Sequence, residues 1–328
     1  MFVAPRWPAT HTTNASTMTE LALKIGSALV AFGPLVSIFS MVVYQKSQLV
    51  IVVTSSAFFF LLAAVCASLC WRCFYAIGLR GPLSAMIPGV VFQFLFRCSF
   101  VALYHRVEAF IQTSVEKSAQ YAQEHDTTMA GPDGASNDTV AMERTEDRSK
   151  WNEAAKLRLA LNDAACGIAA GVGFGGMHAV MLFGTLLASQ VSNSVGILYQ
   201  QSCPAIPSLA VSAINTFLFF ILDMFWMLFT FFGMRRRLIC HRGETLDDDT
   251  SVGGWFGNSR TGGNVSLLLC LLSHFVSSVF TSANYFDGGC VVSLPVLGGI
   301  TLLTAYLFWA GVGRIYMPPS GRRAIHED

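Results

Sequence analysis

Gly167-Ile-Ala-Ala-Gly171-Val-Gly-Phe-Gly175 is the stretch on which the fold turns. Glycine at every fourth position cuts a notch about every 6 Å along one helix face, and a second backbone can lie against such a face. The run is apolar, and its flanks extend it far enough to cross a bilayer. In lipid there is little hydrophobic gain from joining two helices, so association depends on dispersion contacts and interhelical hydrogen bonds at close range. Ala170 and Gly173 add small surface, while Asn162, Asp163 and His178 add polar atoms that an intramembrane neighbour can satisfy. The segment reads as a docking helix, with packing inside the protein's own bundle as an equally weighted alternative.

The rest of the composition agrees with a membrane setting. Of 328 residues, 53% are hydrophobic and 12% charged, with a mean hydropathy of +0.52, which is too apolar for a soluble domain. This is an all-α, polytopic membrane protein. Its net charge of +1 says nothing about partners, because in such a chain the placement of charge matters. The nine cysteines are scattered. Cys70-Trp-Arg-Cys73 has neither a second pair nor a histidine beside it, so no zinc site follows. Cys66, Cys70 and Cys73 read as one helix face. Cys203 and Cys290 fall in short loops on one side of the membrane and are expected to form a disulfide.

Outward from the glycine stretch, seven segments approach the ~20 apolar residues needed to span. They are Leu21 to Val43, Leu49 to Trp71, Ser84 to Tyr104, Leu159 to Ala188, Ser208 to Phe232, Val265 to Ser282 and Val291 to Val312. Residues 1–20 form a polar tail, read as extramembrane and not as a signal peptide because the following segment is too long. The seven-span domain covers 21–315, with a long polar connection at 107–156, a second at 233–264, and a tail at 316–328. Val107 to Lys156 begins as a surface helix and then turns Gly-, Asp-, Ser- and Glu-rich. Sixteen of the 21 basic residues lie on one side, among them Arg106, Arg235, Arg236, Arg237 and Arg314. The positive-inside rule puts that side and the C-terminus in the cytosol and the N-terminus in the lumen or outside the cell. Asn14 of Asn14-Ala-Ser16 is then an expected glycan acceptor, whereas Asn137 and Asn264 face the cytosol.

Ionisable residues inside spans are costly and carry a functional expectation with a named partner. Arg97 lies in the third span with Gln93 one turn earlier, Asp223 in the fifth and His274 near the middle of the sixth. Asp223 and His274 sit on sequential antiparallel spans and are expected to pair. Such a pair serves either as an internal clasp or as part of a polar cavity that receives a partner's residues or water. Catalysis is not expected. Asp163 and Asp223 supply two acids, the minimum for an aspartyl protease, but the glycine-flanked aspartate motif of intramembrane proteases is missing and Asp163 lies at the cytosolic end of its span. There is no Gly-x-Ser-x-Gly nucleophile, nucleotide-binding glycine loop or metal-ligand cluster, and no cofactor is implied. Arg235, Arg236 and Arg237 read as a membrane boundary, not as a nucleic-acid patch.

Taken in order, these stretches resemble the anterior-pharynx-defective family, the seven-span scaffold subunit of γ-secretase. Val30-Ala-Phe-Gly-Pro34, Phe58-Phe-Phe, Gln93 with Phe96-Arg97, the triplet Gly167, Gly171 and Gly175, Phe225-Trp226, Ser273-His274, Thr281-Ser-Ala-Asn284 and Leu294-Pro295 carry the similarity from about Val30 to Ile315. Three departures mark the chain as divergent. The family pattern has a histidine in both the fifth and the sixth span, and here Asp223 occupies the first of those positions while His274 keeps the second. Phe94 stands where a glutamate is expected, and both cytosolic insertions are longer. The resemblance implies a non-catalytic subunit, hetero-oligomeric with presenilin, nicastrin and the presenilin enhancer subunit. It implies a complex that cleaves single-span membrane proteins, as in Notch signalling, in the endoplasmic reticulum, Golgi, endosome or plasma membrane. A seven-span receptor or transporter with a polar intramembrane cavity is the alternative reading.

Overall fold

The structure, a computed structural model, describes residues 14–44, 46–79, 81–128, 163–191, 203, 206–242 and 260–312. Seven helices in this set are long and apolar enough to cross a membrane. α1 is Asn14–Ile38 and continues through a π-turn at Phe39–Val43. α2 is Ser47–Ala76 and α3 is Pro82–Thr128. α4 comprises Asp163–Ala179, a π-turn at Val180–Gly184, and Thr185–Val191. α5 is Ser208–Arg242, α6 is Arg260–Thr281 followed by a 3₁₀ turn at Ser282–Tyr285, and α7 is Cys290–Val312. Proline interrupts none of them outright: Pro88 and Pro295 lie in the second turn of α3 and α7, where few backbone bonds are forfeited, and Pro34 of α1 lies one turn before its π-turn.

Several boundaries differ from the sequence reading. α1 begins at Asn14, within the stretch expected to be an extramembrane tail. α3 does not stop near Tyr104 to restart as a separate surface helix; it runs without a break to Thr128. The physical reason is that residues 105–128 contain no glycine or proline and carry repeated Glu, Gln and Ala, so nothing ends the helix once the span has nucleated it. α5 likewise continues past Phe232 to Arg242, and α6 starts at Arg260, each using part of the expected second loop. Residues 129–162, 243–259 and 313–328 lie outside the described residues, as do Asn137 and the Asn14 side chain.

α4 and α5 form the centre. In their most apolar windows 72% and 67% of residues are buried by the protein itself, against 11–28% for the other five spans, so those two are core and the rest are wall. α4 packs on α5, α2 and α1, while α5 also touches α3, α6 and α7. Glycine permits this crowding. Gly173 of α4 lies against the Val53 carbonyl and the Ser56 hydroxyl of α2, so that any side chain there would overlap backbone. Gly233 and Gly263 play the same part where α5 crosses α6. Two aromatic clusters fill the remaining volume: Phe60, Phe100, Phe174 and Phe231 between α2, α3, α4 and α5, and Phe219, Trp226, Phe229 and Phe232 on the side of α5 that meets α6 and α7.

Candidate functional site

The glycine seam faces inward. A Cβ on Gly171 would stand 2.7 Å from the Cα of Met224, one on Gly167 2.8 Å from Leu228 Cδ2, and one on Gly175 2.9 Å from Asp223 Cβ. All three neighbours belong to α5, so this face is already occupied within the bundle. The docking reading of the seam as a surface for another subunit is thereby corrected to internal packing. Small notches let an apolar helix approach to backbone contact, and α5 is the helix that occupies them.

Close approach of α4 and α5 creates the site. His178 lies seven residues beyond Gly171 and three beyond Gly175, on the seam's own line, and therefore points at the α5 residue that Gly175 has let in. That residue is Asp223. His178 Nδ1 lies 2.7 Å from Asp223 Oδ2, and Arg97 Nη2 of α3 donates to Asp223 Oδ1. Arg97 Nη1 reaches His274 Nδ1 of α6 at 3.2 Å, and Nη2 also reaches Gln93 Oε1 at 3.4 Å. Arg97 and Asp223 are fully buried, with His274 3% and His178 9% exposed, so four helices meet through side chains that water barely reaches.

The expected direct pair of Asp223 and His274 is a bridged one: Arg97 lies between them and bonds to both. Donor chemistry fixes the proton positions. A guanidinium only donates, so His274 Nδ1 accepts and its proton sits on Nε2. A carboxylate only accepts, so His178 carries its proton on Nδ1. The Arg97 guanidinium and the Asp223 carboxylate set one positive charge against one negative, which is the condition under which ionised groups tolerate a low-dielectric interior. Arg97 is further held over the rings of Phe174 and Trp226, 4.4 and 5.0 Å from their centroids. Trp226 stacks on His274 at 4.3 Å and donates its indole N–H to Ser273 Oγ at 2.7 Å. Among the described residues the buried Nε of Arg97 has no hydrogen-bond partner.

Asp163 belongs to a second cluster. It opens α4 and takes a two-pronged contact from Arg235 of α5, Nε to Oδ2 at 2.9 Å and Nη2 to Oδ1 at 2.7 Å. Arg235 Nη2 also donates to Glu108 Oε2 of α3 at 2.6 Å, and His105 Nδ1 lies 3.3 Å from the same oxygen. A carboxylate in the first turn suits the helix dipole, and the planar guanidinium matches it fork to fork. The sequence reading passed over Glu108, His105 and the pairing role of Arg235. The available signal was the i, i+3 spacing of His105 and Glu108 at the end of an apolar span. At the opposite end of the bundle Cys203 and Cys290 are joined as a disulfide, Cα to Cα 5.7 Å, tying the approach to α5 to the first residue of α7.

Neither acid is free for proton transfer, since each is held by an arginine, and they stand near the middle and at one end of the bundle. Among the described residues, no group of three His, Cys, Asp or Glu side chains could hold a metal ion. The sequence profile of a family described as Aph-1 protein matches residues 22–314 of this chain. The chain is also similar to the gamma-secretase subunit APH1-like of Arabidopsis thaliana, with 24% identity over 287 residues, covering 87% of this chain and 90% of that protein.

Proposed function

The chain belongs to the Aph-1 protein family, matched over 22–314, and on that premise we propose that it is a non-catalytic scaffold subunit of a γ-secretase complex. The observation that carries the non-catalytic part is the internal neutralisation of both membrane-embedded aspartates: Asp223 by Arg97 and Asp163 by Arg235. A catalytic carboxylate pair must share a proton within hydrogen-bond reach, and these two carboxylates sit at different levels of the bundle, each committed to a guanidinium.

The scaffold part rests on how the surface is divided. Polar and charged groups are turned into the α3–α4–α5–α6 interior, while α1 and α7 present wide apolar flanks to their surroundings, with Leu21, Ile25, Leu29 and Val36 on α1 and Val291, Leu302 and Tyr306 on α7 exposed. Such flanks suit lipid or the membrane helices of other subunits, for which presenilin, nicastrin and the presenilin enhancer are the partners we propose. The similarity to an APH1-like subunit supports that assignment. The orientation we propose places the Arg235–Asp163–Glu108 end in the cytosol and the Cys203–Cys290 end in the lumen or outside the cell, in keeping with basic residues on one side and a disulfide on the other.

Affinity purification of the tagged full chain from its own cells in a mild detergent tests the reading. Co-isolation of presenilin and nicastrin relatives, with loss of intramembrane cleavage when the chain is depleted, is the expected result. Recovery of the chain with a G protein, or by itself with solute flux after reconstitution, overturns it.

A further inference from the structure

The cysteine pair Cys70-Trp71-Arg72-Cys73 plays no part in the buried network or in the packing core, and its position gives it a chemistry of its own. Cys73 is exposed and Cys70 half-buried, both as free thiols, in the last turns of α2. α2 spans 30 residues, longer than a bilayer's hydrocarbon core requires, so its end emerges from the apolar region. Trp71 and Tyr75, with rings 5.8 Å apart, and exposed Arg72 mark that level as the membrane–water boundary. Counting antiparallel spans, the end of α2 lies on the same side of the bundle as the end of α4 and the starts of α5 and α7. Contacts between α2 and α4 agree with this count: Val53 meets Gly173, and Phe60 lies beside Phe174 and His178, so the two helices ascend together. That side carries the Cys203–Cys290 disulfide. A bond of that kind persists in an oxidising compartment, and an exposed dithiol there meets the same redox conditions.

We propose that Cys70 and Cys73 form a thiol–disulfide exchange site, closing reversibly into an intrahelical disulfide. Residues three apart on a helix have Cβ atoms about 5–6 Å apart, and a disulfide asks for ~3.5–4.5 Å, so closure needs the turn to tighten by roughly 1 Å. The helix is ending where that is asked. Ile77 N–H donates to the Cys73 carbonyl at 3.2 Å, Leu79 N–H reaches back to Phe74 at 3.0 Å, and Gly78 leaves the helix at a φ of +90°. In the forward step the Cys73 thiolate attacks a sulfur of an incoming disulfide, of a small molecule or a protein, and the partner's second sulfur leaves as a thiol. The Cys70 thiolate then attacks Cys73 in the mixed disulfide and expels the remaining partner sulfur. Two S–H bonds are lost and one S–S bond gained in α2, while the incoming disulfide takes both electrons and both protons.

The test is thiol mapping on the full chain taken from its own membranes. Free thiols are blocked with N-ethylmaleimide during lysis, the chain is reduced, newly released thiols are labelled with a second alkylating agent, and its peptides are read by mass. The expected result is that Cys70 and Cys73 both carry the second label, that the unreduced peptide is about 2 Da lighter than its dithiol form, and that Cys73→Ser returns Cys70 to the first label. Cys203 and Cys290 serve as the internal standard for an intact disulfide. Full first-agent labelling of Cys70 and Cys73, before and after exposure of the purified chain to oxidised glutathione, overturns the proposal. So does a disulfide that joins Cys66 to either of them.

Discussion

Asp223 holds Arg97 with one carboxylate oxygen and His178 with the other. Each oxygen is aimed at a different helix, so the short side chain of one α5 residue locks α3 and α4 to it, and through Arg97 recruits α6. This division makes the aspartate worth more than either of its contacts.

Removing the charge on Asp223 alone leaves Arg97 buried and uncompensated. Asp223→Asn is expected to lower stability by about 3–5 kcal/mol, because the cost is that of an unpaired buried cation and not of one lost hydrogen bond. The double variant Arg97→Met with Asp223→Leu is expected to be less damaging than Asp223→Asn, since apolar groups of similar volume remove the charge problem altogether. Thermal melting in detergent, followed by size-exclusion chromatography, ranks the variants. A double variant worse than the single one would contradict this account.

Coupling should follow the bonds. In double-mutant cycles, Asp223→Asn with His274→Gln is expected to be non-additive by at least ~0.5 kcal/mol although the two side chains meet only through Arg97, and Asp223→Asn with His178→Ala more strongly so. Asp223→Asn with Glu108→Gln, in separate clusters, should be additive to within ~0.5 kcal/mol. The readout is the same melting assay.

Steric occupation of the seam predicts failure of the chain itself. At Gly171 a Cβ meets Met224 backbone at 2.7 Å, which cannot swing aside, whereas Gly298 has nothing within 4 Å. Gly171→Ile is therefore expected to give a misfolded or rapidly degraded chain even when expressed without any other subunit, at a cost of about 3 kcal/mol or more. Gly298→Ala should fold as the parent does. Expression level and monodispersity in detergent separate these outcomes, and a well-folded Gly171→Ile that fails only at complex assembly would return the seam to a docking role.

The Arg235 clasp should be weaker than the buried network. Arg235 keeps 30% of its side chain exposed, so solvent screens part of its attraction to Asp163 and Glu108, and Arg235→Ala is expected to cost about 1 kcal/mol. Arg235→Lys should not restore the loss, because an ammonium cannot match the two carboxylate oxygens fork to fork. The melting temperature of the parent is expected to fall slightly as salt is raised, and that dependence to shrink in Arg235→Ala.

Much of this was legible in the chain. Long apolar runs separated by polar ones determined the seven helices, since a bilayer leaves the backbone few other ways to satisfy its hydrogen bonds. The order of short motifs from Val30 to Ile315 determined the family resemblance, and the i, i+4 glycines determined that some helix would lie flush against α4. These are properties of one helix or of neighbours along the chain, where period and spacing carry the information.

Tertiary structure alone decided which helix takes the seam and which partner takes each charge. Sequence placed Asp223 and His274 on sequential antiparallel spans, but a helix presents a residue in one direction only, and the rotation of α5 turns Asp223 toward α3 and α4. Arg97, whose long side chain reaches both, fills the gap, and His178, read from the sequence as a polar group that some intramembrane neighbour satisfies, finds that neighbour in Asp223. Rotation and tilt are set by the sum of many small packing contacts from several neighbouring helices, none of them encoded locally, and so they became readable only once all seven helices were in place.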